Sequence, residues 1–412
     1  MRRTILFFLC WPIWANAGTA LTLAEAEALW QDHSRELRVA RAVLGGAEAD
    51  VLTAGQRPNP EVALNVLSIS PWTGYGDGGW KDKKIDTQLR LEQLIERGGK
   101  RELRLKGAEA RRSAAGLELE DVSRQQRGEL RQAYYRLRLA QERLALARDT
   151  AALYGRSLEA GRLRQQAGDL APIDVSRLQI DQARAAAEVS QATAELAQAR
   201  QGLAYFIGRQ ADADALEAAD DWPALEARAW DGLPLEQRPD LAAGRQRVAA
   251  AEAERDLARS RRNRDVTVGV QYERNQQNAP LNSYGFGLSV PLFLWHSHEG
   301  EIARADADYH LAREQYDQQQ ALAQGQVAQA RHAVIAARER VERLQGGLLG
   351  DAQRVARAAE LAYDKGAMGL LDLLDARRTL RQIQIEAATA RADYARALAD
   401  WQTQAEFRTT PQ

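Results

Sequence analysis

Two carboxylates in the segment KGAMGLLDLLDARR, residues 365–378, could act on ions. Asp372 and Asp375 are three residues apart, so they share one face if the segment is helical. Carboxylates that face a narrow water-filled passage attract cations and repel anions. The same spacing also fits two solvated acids near a helix N-terminus, where aspartate is favoured. The residues alone leave both interpretations open.

A second segment, LEQLIERGGKRELR at residues 91–104, contains the Gly-Gly-Lys found in some phosphate-binding loops. A P-loop needs Ser or Thr after the lysine to hold magnesium, and Arg101 occupies that position. Nucleotide binding is therefore not expected.

His296 and His298 are spaced to share one face of an extended segment, and imidazole binds zinc or copper well. No acid or thiol completes a site, so we predict no metal centre. If a metal binds, this histidine pair is the candidate.

The sequence contains no nucleophile motif, no catalytic carboxylate pair in a pocket-like context and no dinucleotide-binding glycine signature. We therefore expect a protein that is not an enzyme and uses no cofactor.

The composition and the N-terminus indicate an exported protein. The 412 residues include 56 basic and 57 acidic side chains, a balance that gives no reason to expect nucleic acid as a partner. Residues 1–17 have two arginines, an apolar run too short for a permanent anchor, and a small-x-small cleavage pattern. We predict a signal peptide there and a mature, unlipidated chain from about Gly18. The single cysteine, Cys10, lies inside this signal, so the mature chain has no disulfide.

Most of the mature chain has helical spacing of Ala, Leu, Arg, Glu and Gln, with few prolines in 98–171 and 291–410. A helix of ~60 residues extends ~90 Å. The apolar stripe is rich in alanine, which suits closely spaced coiled helices; we assign to it Ala183, Ala187, Ala194 and Ala197. By itself this pattern fits a periplasmic coiled coil or scaffold.

Four segments instead alternate apolar and polar residues and predict two β-hairpins, at about 61–95 and 265–294. Each strand is ~10 residues long, enough to cross a membrane when tilted, and has one apolar and one polar face. Trp72 and Trp80 at one end and Trp295 at the other lie where membrane-interface aromatics are expected. Four strands cannot close a pore, and open edges are not tolerated in lipid, so the barrel must be shared between chains.

The spacing also indicates an internal duplication. Val62 matches Val266 at an offset of 204 residues, whereas Asp174 matches Asp372 at 198, because the second hairpin loop is six residues shorter. The predicted organisation is a signal peptide (1–17), a first repeat (18–208), a connector (209–240), a second repeat (241–405) and a C-terminal tail (406–412).

The glycines of ERGGKR, residues 96–101, then lie where the second strand ends and a long helix begins. Gly98 and Gly99 allow the backbone to turn. We expect Lys100 and Arg101 to be solvated or to contact lipid headgroups.

Taken together, these features resemble the TolC family of trimeric outer-membrane efflux channels over nearly the whole mature chain. RPNPE (57–61) before the first strand and LEQLIERGGKR (91–101) resemble its CzcC branch, the outer-membrane partners of heavy-metal pumps for cobalt, zinc and cadmium. The resemblance implies a mainly α fold with membrane β: a twelve-strand barrel, four strands from each of three chains, continued into a long periplasmic α-helical barrel. Residues 209–240, with the C-terminal tail, resemble the family's equatorial region.

The resemblance also implies partners and a location. The partners are two further copies of the chain in a homotrimer, a periplasmic adaptor (membrane fusion) protein, an inner-membrane RND pump and outer-membrane lipid. The location is the outer membrane of a Gram-negative bacterium, with a large periplasmic part. The expected cargo is heavy-metal cations of the cobalt, zinc and cadmium type. A channel for drugs or other small molecules is an alternative, and a structural periplasmic coiled coil is another that leaves the four amphipathic strands unexplained.

The paired segments AGDLAPIDVSRLQ (167–179) and KGAMGLLDLLDARR (365–378) resemble the helix-hairpin tips that close the family's channels at the periplasmic end. By the likeness of LLDLLDA to the family's constriction, Asp372 and Asp375 become the pore constriction. Asp174 and Tyr363 match two of the polar links of the family's periplasmic gate. A third, usually basic, link falls on Met368, and Lys365 is the candidate to replace it.

Overall fold

The computed structural model describes residues 19–67, 69, 85–226, 229–275 and 281–407. The predicted signal peptide with Cys10, and Trp72 and Trp80, lie outside these ranges. Helices predominate in the described part. Its main elements are β1 (Thr19–Leu21), α1 (Leu23–His33), α2 (Arg35–Gly55), β2 (Glu61–Leu67), β3 (Asp86–Ile95), α3 (Lys100–Gln166), α4 (Pro172–Ile207), β4 (Leu216–Ala218), α5 (Pro239–Ser260), β5 (Val266–Asn275), β6 (Leu281–Ser289), α6 (Glu299–Arg343), a π-helical segment (Leu344–Leu348), α7 (Leu349–Asp364) and α8 (Leu370–Ala405).

The chain divides into two compact units. Within the described ranges, the first unit comprises the segments up to Arg38, Val122–Leu235 and Ala323 onward. The second comprises Val39–Asp121 and Glu236–Leu322 and contains the four strands β2, β3, β5 and β6.

The four predicted strands form one antiparallel sheet in the order β2-β3-β5-β6. Leu89 of β3 lies opposite Leu64 of β2 on one side and Tyr272 of β5 on the other. The pairing of β3 with β5 therefore joins the two predicted hairpins. In the described residues, β2 and β6 are the edge strands.

The two faces of this sheet differ as the period-two pattern predicts. On the apolar face, Tyr284 is 84% and Phe286 75% exposed, so this chain leaves that face uncovered. On the polar face, Asn65 donates to Gln88 (3.2 Å) and Gln88 donates to Gln271 (3.2 Å) across three strands. Trp295, shortly after β6, is 94% exposed.

The junction at residues 96–101 has the predicted backbone but not the predicted side-chain environment. Gly98 and Gly99 have φ of 76° and 70°, the left-handed region that favours glycine. Lys100 is buried, and its Nζ donates to Asn263 O (2.8 Å) and Asp265 Oδ1 (2.7 Å). Arg101 Nε donates to Gly55 O (2.7 Å). The expectation of a solvated or lipid-facing cation was wrong for Lys100, whereas the Arg101 side chain is 35% exposed. Both side chains anchor the start of α3 to segments distant in sequence.

The alanine stripe assigned to α4 was also wrong. Ala183, Ala187, Ala194 and Ala197 are exposed in this chain, whereas the buried face of α4 carries Leu178, Ala185, Ala192, Leu196 and Leu203. Alanine is a strong helix former on any face of a helix, so it does not mark the packed seam as leucine does.

Among the helices of the described residues, none is both long and apolar enough to cross a membrane.

The connector contains structure that the sequence did not reveal. Strand β4 pairs in parallel with β1, close to the predicted mature N-terminus. The buried Tyr134 hydroxyl of α3 lies 3.0 Å from Leu21 O and from Asp220 Oδ2, and it accepts from the Asp220 N–H (3.0 Å). One phenol therefore links α3 to both sides of this small sheet.

Replacing Tyr134 with Phe should destabilise the first unit by about 1 to 3 kcal/mol, because the buried Leu21 carbonyl and the partly buried Asp220 each lose a hydrogen bond to the Tyr134 hydroxyl. The measurement is the midpoint of denaturant-induced unfolding. Tyr205→Phe is the control, since Tyr205 is exposed and bonds Glu36 at the surface. Equal midpoints for the two variants would contradict the assigned role of Tyr134.

Candidate functional site

Two helix-turn-helix reversals carry the predicted gate and constriction residues. The first joins α3 to α4, and the second joins α7 to α8. Gly168 (φ 86°) and Gly366 (φ 74°) take the left-handed conformation just past the ends of α3 and α7. Beyond them, the Asp169 N–H donates to Arg164 O (2.9 Å) and the Ala367 N–H to Ala362 O (2.8 Å). Both reversals use the same glycine-terminated helix end, as the paired sequence motifs predict.

The two reversals share one apolar core, here called the tip cluster. Its buried members come from α3, α4, α7 and α8; they are Tyr154, Leu158, Val175, Leu178, Ala185, Ala359, Leu370, Leu373 and Leu374. Tyr363 and Met368 pack against its edge, partly buried. Met368, which the resemblance places at the basic link of the gate, therefore contributes an apolar contact instead.

Of the predicted gate residues, Asp174 is in the first turn of α4. Its Oδ1 accepts from Arg177 Nη1 (3.0 Å) on the same helix. Tyr363 contacts α3, because the Arg164 guanidinium lies over its ring, 5.2 Å from the ring centre. Lys365 is exposed at the C-terminal end of α7. Among the three predicted gate residues, Tyr363 is therefore the one with a described contact to another helix of the same chain.

The predicted constriction residues are both exposed at the start of α8. Asp372 and Asp375 flank the buried Leu373 and Leu374, so the leucines face the tip cluster and the carboxylates face away from it. This arrangement leaves both carboxylates available to water and ions.

An ion pair that the sequence analysis missed joins α4 to α8. Asp181 is only 5% exposed, and both of its carboxylate oxygens accept from Arg378 Nη2 at 2.8 Å. The hydrogen bond that Arg378 donates to Asp181 raises the pKa of the Arg378 guanidinium. Burial, and after it the charge of Asp181, raises the pKa of the nearby Tyr154 phenol. The signal was present: Asp181 falls between Leu178 and Ala185 on the buried face of α4, where an acid needs a partner.

A second missed arginine is next to it on α8. Arg377 donates to Glu360 of α7 (3.0 Å) and to Ser157 of α3 (2.8 Å). The α7–α8 pair is thereby closed by an ion pair of its own, and the same guanidinium also contacts α3. Arg377 and Arg378 together tie α8 to three neighbouring helices.

The histidine pair does not form the predicted extended segment. His298 has φ of 68°, which is left-handed, and its ring centre is 5.8 Å from that of His296. His298 Nδ1 is 3.3 Å from Glu301 Oε1, and the pKa of the Glu301 carboxyl is lowered, first by a backbone hydrogen bond and then by His298. Nowhere in the described residues do three or more His, Cys, Asp or Glu side chains form a group able to hold a metal ion.

The Asp181–Arg378 pair should be energetically coupled. In a double-mutant cycle of Asp181→Ala and Arg378→Ala, the combined loss of stability should fall short of the summed single losses by about 1 to 2 kcal/mol, since water partly screens the half-exposed arginine. The same cycle on the exposed Arg304–Asp308 pair of α6 is the control and should show much weaker coupling. Additive losses at Asp181 and Arg378 would contradict the assignment.

Comparison with known proteins places these features in a family. A profile of the outer membrane efflux protein family matches residues 28–209 and 232–402. The cobalt-zinc-cadmium resistance protein CzcC of Cupriavidus metallidurans is 29% identical over 376 residues, which cover 90% of this chain and 86% of that protein.

Solved structures agree on the fold. The CmeC outer membrane channel of Campylobacter jejuni superposes with a TM-score of 0.79 at 16% identity, covering 93% of this chain and 85% of that one. The outer-membrane channel OprN gives a TM-score of 0.77 at 24% identity, covering 93% and 89%. The chain therefore belongs to the outer membrane efflux protein family, as an outer-membrane efflux channel with a large periplasmic helical part.

Proposed function

We propose that this channel exports heavy-metal cations of the cobalt, zinc and cadmium type from the periplasm or cytoplasm to the outside. The observation that carries the proposal is the similarity to the cobalt-zinc-cadmium resistance protein along 90% of the chain. Exposed carboxylates at Asp372 and Asp375 are compatible with a cationic cargo. The protein acts as a conduit, without a covalent step.

The functional form we propose is a homotrimer with a twelve-strand barrel. The support is the open sheet: β2 and β6 have unpaired edges in the described chain, and the apolar face is uncovered. In lipid, backbone hydrogen bonds must be satisfied between strands, so a four-stranded sheet needs strands from other copies. Three copies supply twelve strands, with the apolar face toward lipid and the Asn65–Gln88–Gln271 face toward water.

The duplicated organisation, with repeats at 18–208 and 241–405 and a connector at 209–240, belongs to the same proposal. It is supported by α4 and α8, which both span 36 residues and begin 198 residues apart, the offset between Asp174 and Asp372. The two hairpin tips are thus equivalent elements. In a trimer, six tips would surround one periplasmic opening.

The proposed gate consists of Asp174, Tyr363 and Lys365, with Asp372 and Asp375 as the constriction. A periplasmic adaptor and an inner-membrane RND pump driven by protons would dock at the helical end and supply the energy. Opening moves the α7–α8 pair against α3 and α4. The Arg377–Glu360 contact joins α7 to α8 and can move with them. The contacts that link this pair to α3 or α4 resist the movement; they are Arg377–Ser157, Arg378–Asp181 and Arg164–Tyr363.

Neutralising the constriction should change ion selectivity. With Asp372→Asn and Asp375→Asn together, the cation-to-anion permeability ratio, taken from the reversal potential in a salt gradient, should fall several-fold because three pairs of charges are lost. Asp169→Asn removes one charge from the neighbouring turn and is the matched control. Equal ratios in the two variants would rule out the constriction.

Metal cargo should be visible in cells. A strain lacking the gene should accumulate excess zinc, cobalt or cadmium, measured by elemental analysis, with normal efflux of a drug-like dye, and complementation should reverse this. Retained dye with normal metal content would favour the alternative, a channel for drugs or other small molecules. Absence of a trimer from the outer-membrane fraction would contradict the proposed homotrimer.

A further inference from the structure

The helix that leads into the second tip contains an irregular segment. Between α6 and α7, residues Leu344–Leu348 form a π-helix, and the Leu349 N–H bonds Leu344 O, five residues back. π-Helical turns are rare, occur mostly as single interruptions of α-helices, and are one of the few identifiable causes of helix bends.

Two glycines, Gly346 and Gly347, lie in this segment, and Gly350 follows it at the start of α7. At each of them, no heavy atom lies within 4 Å of the place where a Cβ would be. None of the three has a positive φ. Neither close packing nor a left-handed backbone therefore requires glycine here. The effect of these glycines is to make the helix easier to bend.

The segment lies between two anchored stretches of helix. On its N-terminal side, Val341 and Leu344 belong to a buried cluster that includes Tyr394 and Trp401. On its C-terminal side, α7 enters the tip cluster through Ala359. Residues 345–348 between them are exposed. The helix is thus held at both ends and lacks burial in the middle.

The corresponding helix of the first repeat has no such interruption. Helix α3 is continuous from Lys100 to Gln166. At the offset of 198 residues, the π-helical segment corresponds to residues 146–150, which contain no glycine. The π-helical segment is therefore found on the α6–α7 side, which carries Tyr363, and not in α3.

We propose that Leu344–Leu348 is the hinge about which α7 moves when the periplasmic gate opens. The inference rests on the proposed gate. From Gly347 to Tyr363 the helix gives a lever of about 24 Å, so a bend of about 10° displaces the Tyr363 end by about 4 Å. That displacement is enough to separate the Arg164 guanidinium from the Tyr363 ring, while the cluster around Trp401 stays in place.

The test stiffens the hinge in a channel whose gate is weakened. Asp174→Ala with Tyr363→Leu, which removes the aromatic ring beneath the Arg164 guanidinium, is the weakened-gate background and should raise conductance in planar bilayers. Adding Gly346→Ala and Gly347→Ala should lower the open fraction about tenfold, because alanine favours the regular straight helix. The melting temperature should stay equal or rise. Gly300→Ala with Gly325→Ala, two open glycine sites in α6, is the matched control and should leave the open fraction unchanged.

A second readout does not depend on conductance. The mature chain has no cysteine if the predicted cleavage occurs, so spin labels can be attached at Leu163→Cys on α3 and Leu361→Cys on α7, both exposed. In trimers diluted with unlabelled chains, Gly346→Ala and Gly347→Ala should narrow the distance distribution between the labels.

The outcomes separate the two proposals. An unchanged distance distribution, or an undiminished open fraction in the weakened-gate background, would overturn the hinge. A weakened-gate background that conducts like the wild type would count against the proposed gate alone, and the spin-label distances would then decide the hinge.

Discussion

Unpaired strand edges are the constraint from which the proposed assembly follows. A sheet of four strands leaves rows of unpaired backbone N–H and C=O groups on β2 and β6. Its apolar face is uncovered, and exposure of that face to water is unfavourable. In lipid neither feature is tolerated unless further strands close the sheet. The long helices face no such demand, because each satisfies its backbone internally. The proposed shared assembly thus depends on the 36 residues of β2, β3, β5 and β6 in a chain that is mostly helical.

Sequence patterns located the strands and turns because these depend on local rules. Period-two alternation located β2, β3, β5 and β6, and the glycines at 98, 99, 168 and 366 marked backbone conformations that other residues rarely adopt. The hydrogen-bond and ion-pair partners of side chains could not be predicted from local sequence in the same way. Lys100 donates hydrogen bonds to Asn263 and Asp265, more than 160 residues away, and the sequence near Lys100 does not predict these partners. The three-residue strands β1 and β4 are too short to show any period.

The candidate site divides along the same line. The tip motifs were recognisable, whereas the proposed constriction at Asp372 and Asp375 needs carboxylates from all three chains. The Asp181–Arg378 pair was within reach, since a carboxylate on a buried helix face calls for a cation. The alanine assignment on α4 failed for the opposite reason: alanine is common on both faces of these helices, so its spacing carries little information about burial.

The contacts at the tips differ in how they respond to movement. The apolar side chains of the tip cluster attract one another without directional preference, so helices can slide by a small amount and remain in contact. An arginine–carboxylate contact is directional, and Asp181 has little access to water that could replace Arg378. Sliding of α8 against α4 would therefore break the directional Asp181–Arg378 ion pair, while most of the apolar side chains would stay buried. In the proposed gate, a few polar contacts hold the closed arrangement, and a docking partner could disrupt them without unfolding the helices they join.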